Sequence, residues 1–253
     1  MYQEERLLKI LEYLNEHNYM SIHDICNMFN VSRDTARRDI VKLINQGTAV
    51  RTHGGIGLPI LRNTIKEYRE RIEAYSEEKR FIAKKALEFI EEEKHYFFDV
   101  STIISFLAQE LNKSIWVLTH SLDNIEILSE KEDMDVNCIG GSLNRKNRFF
   151  YGADSINNLG KMRFDAVILG AAAITEDGIY YVDEEDALIK QIAAKKSDRV
   201  IVLAEYEKFK RLSYYKGVEW ELIDIIITDK MPPSAFVEII KSHDIQLIIA
   251  NNI

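Results

Sequence analysis

Apolar residues in the stretch "EERLLKILEYLNEH", residues 4–17, fall at Leu7, Leu8, Ile10, Leu11 and Leu14. Spacings of three and four put them on one stripe and predict an amphipathic helix. "NYM" then reads as a loop. Ser21 stands three residues before Asp24, an N-cap followed by an acid in the first turn, and Ile22, Ile25, Cys26 and Phe29 carry the second stripe. "NV" breaks that pattern. Ser32 caps a third helix, "SRDTARRDIVKLINQG", with Ala36, Ile40, Leu43 and Ile44 on one face and Gly47 as its stop. "TAVRTHGGI", residues 48–56, reads as a short hairpin with a basic tip. Three helices, a tight turn between the second and third, and a trailing hairpin make a winged helix-turn-helix plan. In that plan the third helix enters the major groove of DNA.

Residues 57–75 lack a clear apolar period and contain Pro59, so they read as a connector merging into a helix. "SEEKRFIAKKALEFIEEE", residues 76–93, predicts an amphipathic helix capped by Ser76. Strand and helix patterns then alternate to the end of the chain. "HYFFDV", "SIWVLTH", "DVNCIGG", "FDAVILGA", "RVIVLAE", "LIDIIITD" and "IQLIIAN" read as strands. The helical stretches between them are "TIISFLAQELN", "SLDNIEILSEK", "ADSINNLGKM", "DEEDALIKQIAAKKS" and "SAFVEIIKSHD". Such alternation predicts a mostly parallel sheet covered on both faces. The fold class is therefore α/β, with residues 1–57 as a DNA-binding head, 58–75 as a linker and 76–253 as a larger second domain.

Composition bounds the functional classes. The 253 residues are 46% hydrophobic and 29% charged, ordinary for a globular protein with a sizeable core. The absence of a long apolar run predicts no membrane span, and the charged N-terminus lacks the apolar core of a secretory signal. Cys26 and Cys138 form no metal-ligand spacing, which fits a reducing, cytoplasmic setting. No residues mark a metal or cofactor site.

The formal net charge is −8, yet over residues 31–53 Arg33, Arg37, Arg38, Lys42 and Arg51 face only Asp34 and Asp39, a local balance of +3. Positive charge is thus concentrated where a phosphate backbone would be met. An isolated Arg-Arg pair is usually a solvated face, but here cap, turn, helix and wing occur in order. Ser32, Arg33, Thr35, Arg37, Arg38, Arg51 and His53 are the candidate DNA-binding residues. Arg33 and Thr35, near the helix start, can reach base edges, and Arg37 and Arg38 can clamp phosphate.

In the second domain, ligands are expected at the carboxyl ends of the strands. The first strand ends in Asp99-Val100-Ser101-Thr102 at a helix start, a natural phosphate cradle. The second ends in Thr119-His120-Ser121, where His120 reads equally as a hydrogen-bonded loop histidine. Gly140 and Gly141 end the third, Gly170 ends "VILG", and Asp177-Gly178 makes a turn. Lys190 and Lys208 supply cations suited to an anionic ligand. Each signal alone is ordinary turn and cap chemistry.

The stretch "VSRDTARRDIVKLINQGTAVRTHGG" resembles the N-terminal signature of the DeoR family of bacterial transcriptional regulators. The matching core is Thr35-Ala36-Arg37-Arg38-Asp39, and the close is Arg51-Thr52-His53-Gly54-Gly55. The resemblance covers nearly the whole chain. It implies a C-terminal sensor related in fold to ribose-phosphate isomerases, without catalysis, that binds sugar phosphates. Where the family reads Asp-x-Gly-Thr-Thr this chain has Asp99-Val100-Ser101-Thr102-Ile103, and the usual Thr-Asn-Ser is Thr119-His120-Ser121. Glu205 and Glu207 stand in the usual Ala-Asp-x-Ser-Lys motif before Lys208, and acid–Lys spacing survives as Asp186 and Lys190.

The resemblance implies a repressor of a sugar-uptake or catabolic operon. Its partners would be a double-stranded DNA operator, a small phosphorylated sugar at Asp99, Ser101, Thr102, Thr119, Ser121, Gly140, Gly141, Gly170, Asp177, Lys190 and Lys208, and other copies of itself in a homo-dimer or homo-tetramer. Two alternatives stand beside it: a regulator whose second domain no longer senses a sugar phosphate, and a sugar-phosphate isomerase with an attached head.

Overall fold

The structure, a computed structural model, describes residues 2–17, 19–46, 48–52, 54–57 and 74–250. His53 and all of the expected linker except Ala74 and Tyr75 lie outside the described residues. The chain forms two compact units, Met1–Ile65 with Leu212–Tyr214, and Lys66–Arg211 with Tyr215–Ile253. No helix among the described residues is long and apolar enough to cross a membrane.

The head contains α1 (Gln3–His17), β1 (Tyr19–Ser21), α2 (Ile22–Phe29), α3 (Arg33–Asn45), β2 (Val50–Arg51) and β3 (Gly55–Gly57). Leu7, Ile10 and Leu14 of α1 close on Ile25 of α2 and on Ala36, Ile40 and Leu43 of α3, with Met20, Ala49 and Ile56 completing the core. Leu8, expected in the α1 stripe, points to solvent. The capping box forms as the spacing predicted: Ser21 Oγ accepts from Asp24 N–H and Asp24 Oδ2 accepts from Ser21 N–H, both at 3.0 Å. The turn into α3 is made by Asn30, left-handed at φ 49°, a conformation that Asn tolerates better than most residues. Ser32 caps α3 by accepting from Thr35 N–H at 3.2 Å.

Tyr19 and Met20, expected in a loop, instead belong to strand β1. It pairs antiparallel with β3, which also pairs with β2, so the wing is a three-stranded sheet. The reason is close approach: a Cβ on Gly55 would lie 2.2 Å from the Met20 carbonyl oxygen, so only glycine lets these strands meet.

The second unit is built on a seven-stranded sheet of order β15-β14-β12-β9-β4-β5-β6. Its strands are β4 (His95–Phe98), β5 (Trp116–Thr119), β6 (Asp135–Cys138), β9 (Ala166–Leu169), β12 (Val200–Leu203), β14 (Ile225–Thr228) and β15 (Gln246–Ile249). Every pairing is parallel. Strand residues alternate between two cores. Tyr96, Phe98, Ile168 and Ile201 pack with α4 (Ser76–Ala86), α5 (Thr102–Glu110) and α6 (Leu122–Ser129). Phe97, Val167, Leu169 and Val202 pack with α7 (Ala153–Leu159), α8 (Glu184–Lys195) and α9 (Ser234–Ser242).

One local expectation is corrected, and two small elements are added. The helix from Ser76 ends at Ala86, continues as a 3-10 turn over Leu87–Phe89, and starts from left-handed Tyr75 (φ 56°), so Ser76 is a helical residue rather than the cap. Loops flanking the main strands form a hairpin, β7 (Ser142–Asn144) with β8 (Phe149–Tyr151). They also form a three-stranded antiparallel sheet of β10 (Ala173–Thr175), β11 (Gly178–Tyr181) and β13 (Tyr215–Val218).

Candidate functional site

Two regions concentrate chemistry, one in each unit. In the head, Ala36, Ile40 and Leu43 turn the rear of α3 into the core, which leaves Ser32, Arg33, Arg37 and Arg38 exposed at the front and Thr35 half-buried. Thr35 Oγ1 and Ser32 Oγ are 3.0 Å apart at the helix start. Arg37 keeps a loose ion pair with Asp34, at 3.8 Å, and Arg51 is exposed on β2. Such solvated guanidiniums are free to exchange water for phosphate or a base edge.

Asp39 faces the other way. It is completely buried, accepting from Arg6 Nε at 2.5 Å, Arg6 Nη2 at 3.1 Å and Gln3 Nε2 at 2.9 Å. The hydrogen bond to Asp39 raises the Arg6 guanidinium further above its ordinary value. The arginine that Asp39 orients therefore belongs to α1, and the pair fixes α1 against α3. Lys42, counted in the local charge, is drawn off by Glu4 at 2.6 Å.

In the second unit the strand order reverses between β4 and β9, which are parallel neighbours in the sheet. That switch point is where open parallel sheets bind ligands. Asp99, just past β4, is completely buried and accepts from the Gly170 N–H, just past β9, at 2.8 Å. Lys190 reaches in from α8, with Nζ 3.0 Å from Asp99 Oδ1, 2.6 Å from Asp186 Oδ2 and 3.8 Å from the centre of the Tyr181 ring. His120 Nε2 meets Asp186 Oδ1 at 2.9 Å, and its ring stacks on Phe97. Tyr181 OH donates to the Gly170 carbonyl at 3.0 Å.

Burial pushes the Asp99 carboxyl up, more than Lys190 draws it down. Burial acts on Asp186 too, but the Lys190 charge and the His120 hydrogen bond outweigh it and bring that carboxyl down. Burial also lifts the Tyr181 hydroxyl well above its ordinary range, so it stays a neutral donor. Asp99, His120 and Asp186 offer donors of metal-binding type within 4.8 Å of one another. The Lys190 ammonium already sits against both carboxylates and supplies the positive charge from within the protein.

In front of this cluster, Ser101 is the N-cap residue of α5 without making the capping bond. Its side chain approaches Gly170 so closely that a Cβ there would lie 2.4 Å from Ser101 Oγ. Thr102 opens α5. Asp99, Ser101, Gly170 and Lys190 are thus brought together as the sequence suggested, whereas Thr102 lines a pocket with Ser105 and Asp123.

The other expected ligand residues are placed elsewhere or used locally. Thr119 Oγ1 donates to the Phe98 carbonyl at 2.6 Å and accepts from Ser121 N–H at 3.1 Å, while Ser121 Oγ accepts from Asn124 N–H at 3.2 Å. Asp177 lies in the β10–β11 turn, held by Thr175 and Tyr180. Lys208 Nζ is 3.9 Å from Glu205, which also faces Lys79 at 3.5 Å. Gly140 and Gly141 line a separate cavity of about 540 Å³ beside α7.

Sequence reasoning left out His120, Asp186 and Tyr181 as site members. The four-residue spacing of Asp186 and Lys190 was the available signal.

The family models fit this two-part architecture. A DeoR-like helix-turn-helix domain matches residues 6–59, and a DeoR C terminal sensor domain matches residues 74–230. The chain is 37% identical over 250 residues to the HTH-type transcriptional repressor GlcR of Bacillus subtilis, covering 98% of this chain and 97% of that protein. It is 28% identical to the glycerol-3-phosphate regulon repressor of Escherichia coli, covering 98% and 99%. It is 31% identical to the lactose phosphotransferase system repressor of Lactococcus lactis, covering 90% and 92%. Ribose 5-phosphate isomerase A from Neisseria gonorrhoeae aligns with 52% of each chain at 20% identity and a TM-score of 0.37, a likeness that carries no weight beside the sheet order itself. The chain belongs to the DeoR family of DNA-binding transcriptional regulators, with a helix-turn-helix head and a C-terminal sensor domain.

Proposed function

We propose that the protein is a cytoplasmic repressor of a sugar-uptake or catabolic operon that leaves its operator when a phosphorylated sugar fills the sensor. The carrying observation is the split character of α3: apolar and Asp39 on the rear, Ser32, Arg33, Arg37 and Arg38 solvated on the front. Arg33 and Thr35 then address base edges, and Arg37, Arg38 and Arg51 the backbone, with His53 as a further wing contact.

The phosphate is assigned to the start of α5, where Ser101 and Thr102 offer hydroxyls and backbone N–H groups at the positive end of the helix. The Lys190 cluster behind it responds to the added charge. One small head covers a limited stretch of DNA, so the working form is a homo-dimer or homo-tetramer with paired heads. The relatives named as repressors of sugar-related systems support the same reading. An isomerase reading gains nothing from the cluster, because its carboxylates and its ammonium are bonded to one another.

Selection from a random duplex library tests the DNA reading. A single repeated half-site should emerge at physiological salt. Recovery of no motif, with binding equal on all sequences, would remove the proposal.

A further inference from the structure

The cavity beside Gly140 and Gly141 is built for a different ligand from the one expected there. Its floor is Leu118, Ile139 and Leu159, all buried, with Met162 and the Tyr151 ring on the walls. At about 540 Å³ it lies within the size range of small-molecule sites. No Lys, Arg or His lines it among the described residues, and its one charged side chain is Asp154. A phosphate brought there would meet a carboxylate and no cation.

The polar groups suit a neutral ligand. Asp154 and Asn158 stand one helical turn apart on α7, so their side chains lie about 6 Å apart on one face. Both are exposed. A carboxylate accepts from two hydroxyls, and a carboxamide both donates and accepts. Together with an aromatic and thioether wall for C–H faces, they match a ring bearing adjacent hydroxyls.

The rim is fixed in advance. Ser155 Oγ donates to the Gly140 carbonyl at 2.5 Å. Gly141, at φ +122°, passes so close to Tyr151 that a Cβ would lie 2.3 Å from its carbonyl oxygen. A Cβ on Gly140, by contrast, meets nothing within 4 Å, which leaves the mouth open.

We propose that this cavity is a second ligand site of the sensor, separate from the phosphate seat at α5, and that it takes a neutral compound with adjacent hydroxyls, a free sugar or cyclic polyol. Cys138 lines the same cavity and provides the readout. The full chain is alkylated with iodoacetamide at alkaline pH, and modification of Cys138 and Cys26 is followed by peptide mass spectrometry. The probes are methyl α-glucopyranoside, methyl β-galactopyranoside, myo-inositol and glycerol, each compared with a phosphorylated counterpart.

At a probe concentration about ten times its dissociation constant, Cys138 modification should slow about tenfold while Cys26, in the head, is unchanged. Gly140→Leu, which fills the mouth, and the pair Asp154→Ala with Asn158→Ala should each abolish the protection while operator binding persists. The surface pair serves as the check should Gly140→Leu disturb the fold. No protection by any neutral probe, or stronger protection by the phosphorylated counterparts, would overturn the proposal. Either result leaves the phosphate seat at α5 untouched, because that seat is read by operator release rather than by Cys138.

Discussion

Replacing Asp39 with Ala should unfold the head while leaving the sensor intact. Asp39 is completely buried and Arg6 nearly so, and the carboxylate accepts two bonds from Arg6 and one from Gln3. Removing it takes away the carboxylate that accepts two bonds from the Arg6 guanidinium. Breaking a buried pair in this way costs about 3–5 kcal/mol. Arg6 keeps a small part of its surface in water, so the lower end, about 3 kcal/mol, applies. For a domain of this size that is about 12–24 °C in melting temperature. The two tryptophans, Trp116 and Trp220, both lie in the sensor, so tryptophan fluorescence follows the sensor alone. Circular dichroism at helix wavelengths adds the head. Asp39→Ala should shift or erase the head's share of the dichroism transition and leave the fluorescence transition in place. The double variant Asp39→Leu with Arg6→Met should recover most of the loss, because apolar replacement of both partners is often neutral or better. A head transition within about 0.5 kcal/mol of wild type would refute this reasoning.

Arg37→Ala and Arg38→Ala should each lower the salt slope of DNA binding by about one if the residue clamps phosphate, or cost about 1–3 kcal/mol on the preferred site alone if it reads a base. Unchanged affinity and slope in both would displace α3 from the groove. Gly170→Ala drives a Cβ to within 2.5 Å of Ser101 Cβ, so the β4–α5 turn must shift. The sensor should lose about 1–3 kcal/mol and its phosphate response while keeping operator affinity, read by calorimetry and anisotropy. Burial pushes the Glu205 carboxyl up, but the Lys208 and Lys79 ammoniums outweigh it and hold it below the ordinary value. Its stabilisation is complete above the ordinary value of about 4.3 and is lost as pH falls through the folded value. Glu205→Gln should therefore be less stable than wild type at neutral pH by about 1–3 kcal/mol, with a shallower acid limb in urea titrations followed by tryptophan fluorescence.

The elements that sequence reasoning placed are those with long apolar periods: the three head helices, the seven strands of the main sheet and the helices between them. The elements it missed include β1, β7 and β10, three-residue strands that pair antiparallel outside the main sheet and carry too few positions for alternation to show. Caps were legible at Ser21 and Ser32, where the side chain closes on a backbone group three residues away. Ser76 looked the same and is not a cap, because Tyr75 already turns the chain.

The exposed basic front of α3 was legible because its residues are neighbours on one helix. The sensor cluster was legible only in part: Asp99, Gly170 and Lys190 were singled out, but the bonds that organise it join residues far apart, 66 positions between His120 and Asp186, as do those between Arg6 and Asp39 in the head, 33 positions apart. Thr119 and Ser121 read as ligand hydroxyls at a strand end, and in this structure both bond to the backbone.

Operator affinity in the presence and absence of sugar phosphates joins head and sensor in one number. With the selected operator, fixed salt and the full chain, fluorescence anisotropy should show one phosphorylated sugar raising the dissociation constant by about 5–150-fold, the range of ordinary coupling between sites, with its free sugar failing to do so. Lys190→Met should bind the same operator and lose that response. An operator dissociation constant that stays constant across the whole phosphate panel would contradict control of the head by a phosphorylated sugar at the β4–β9 switch point.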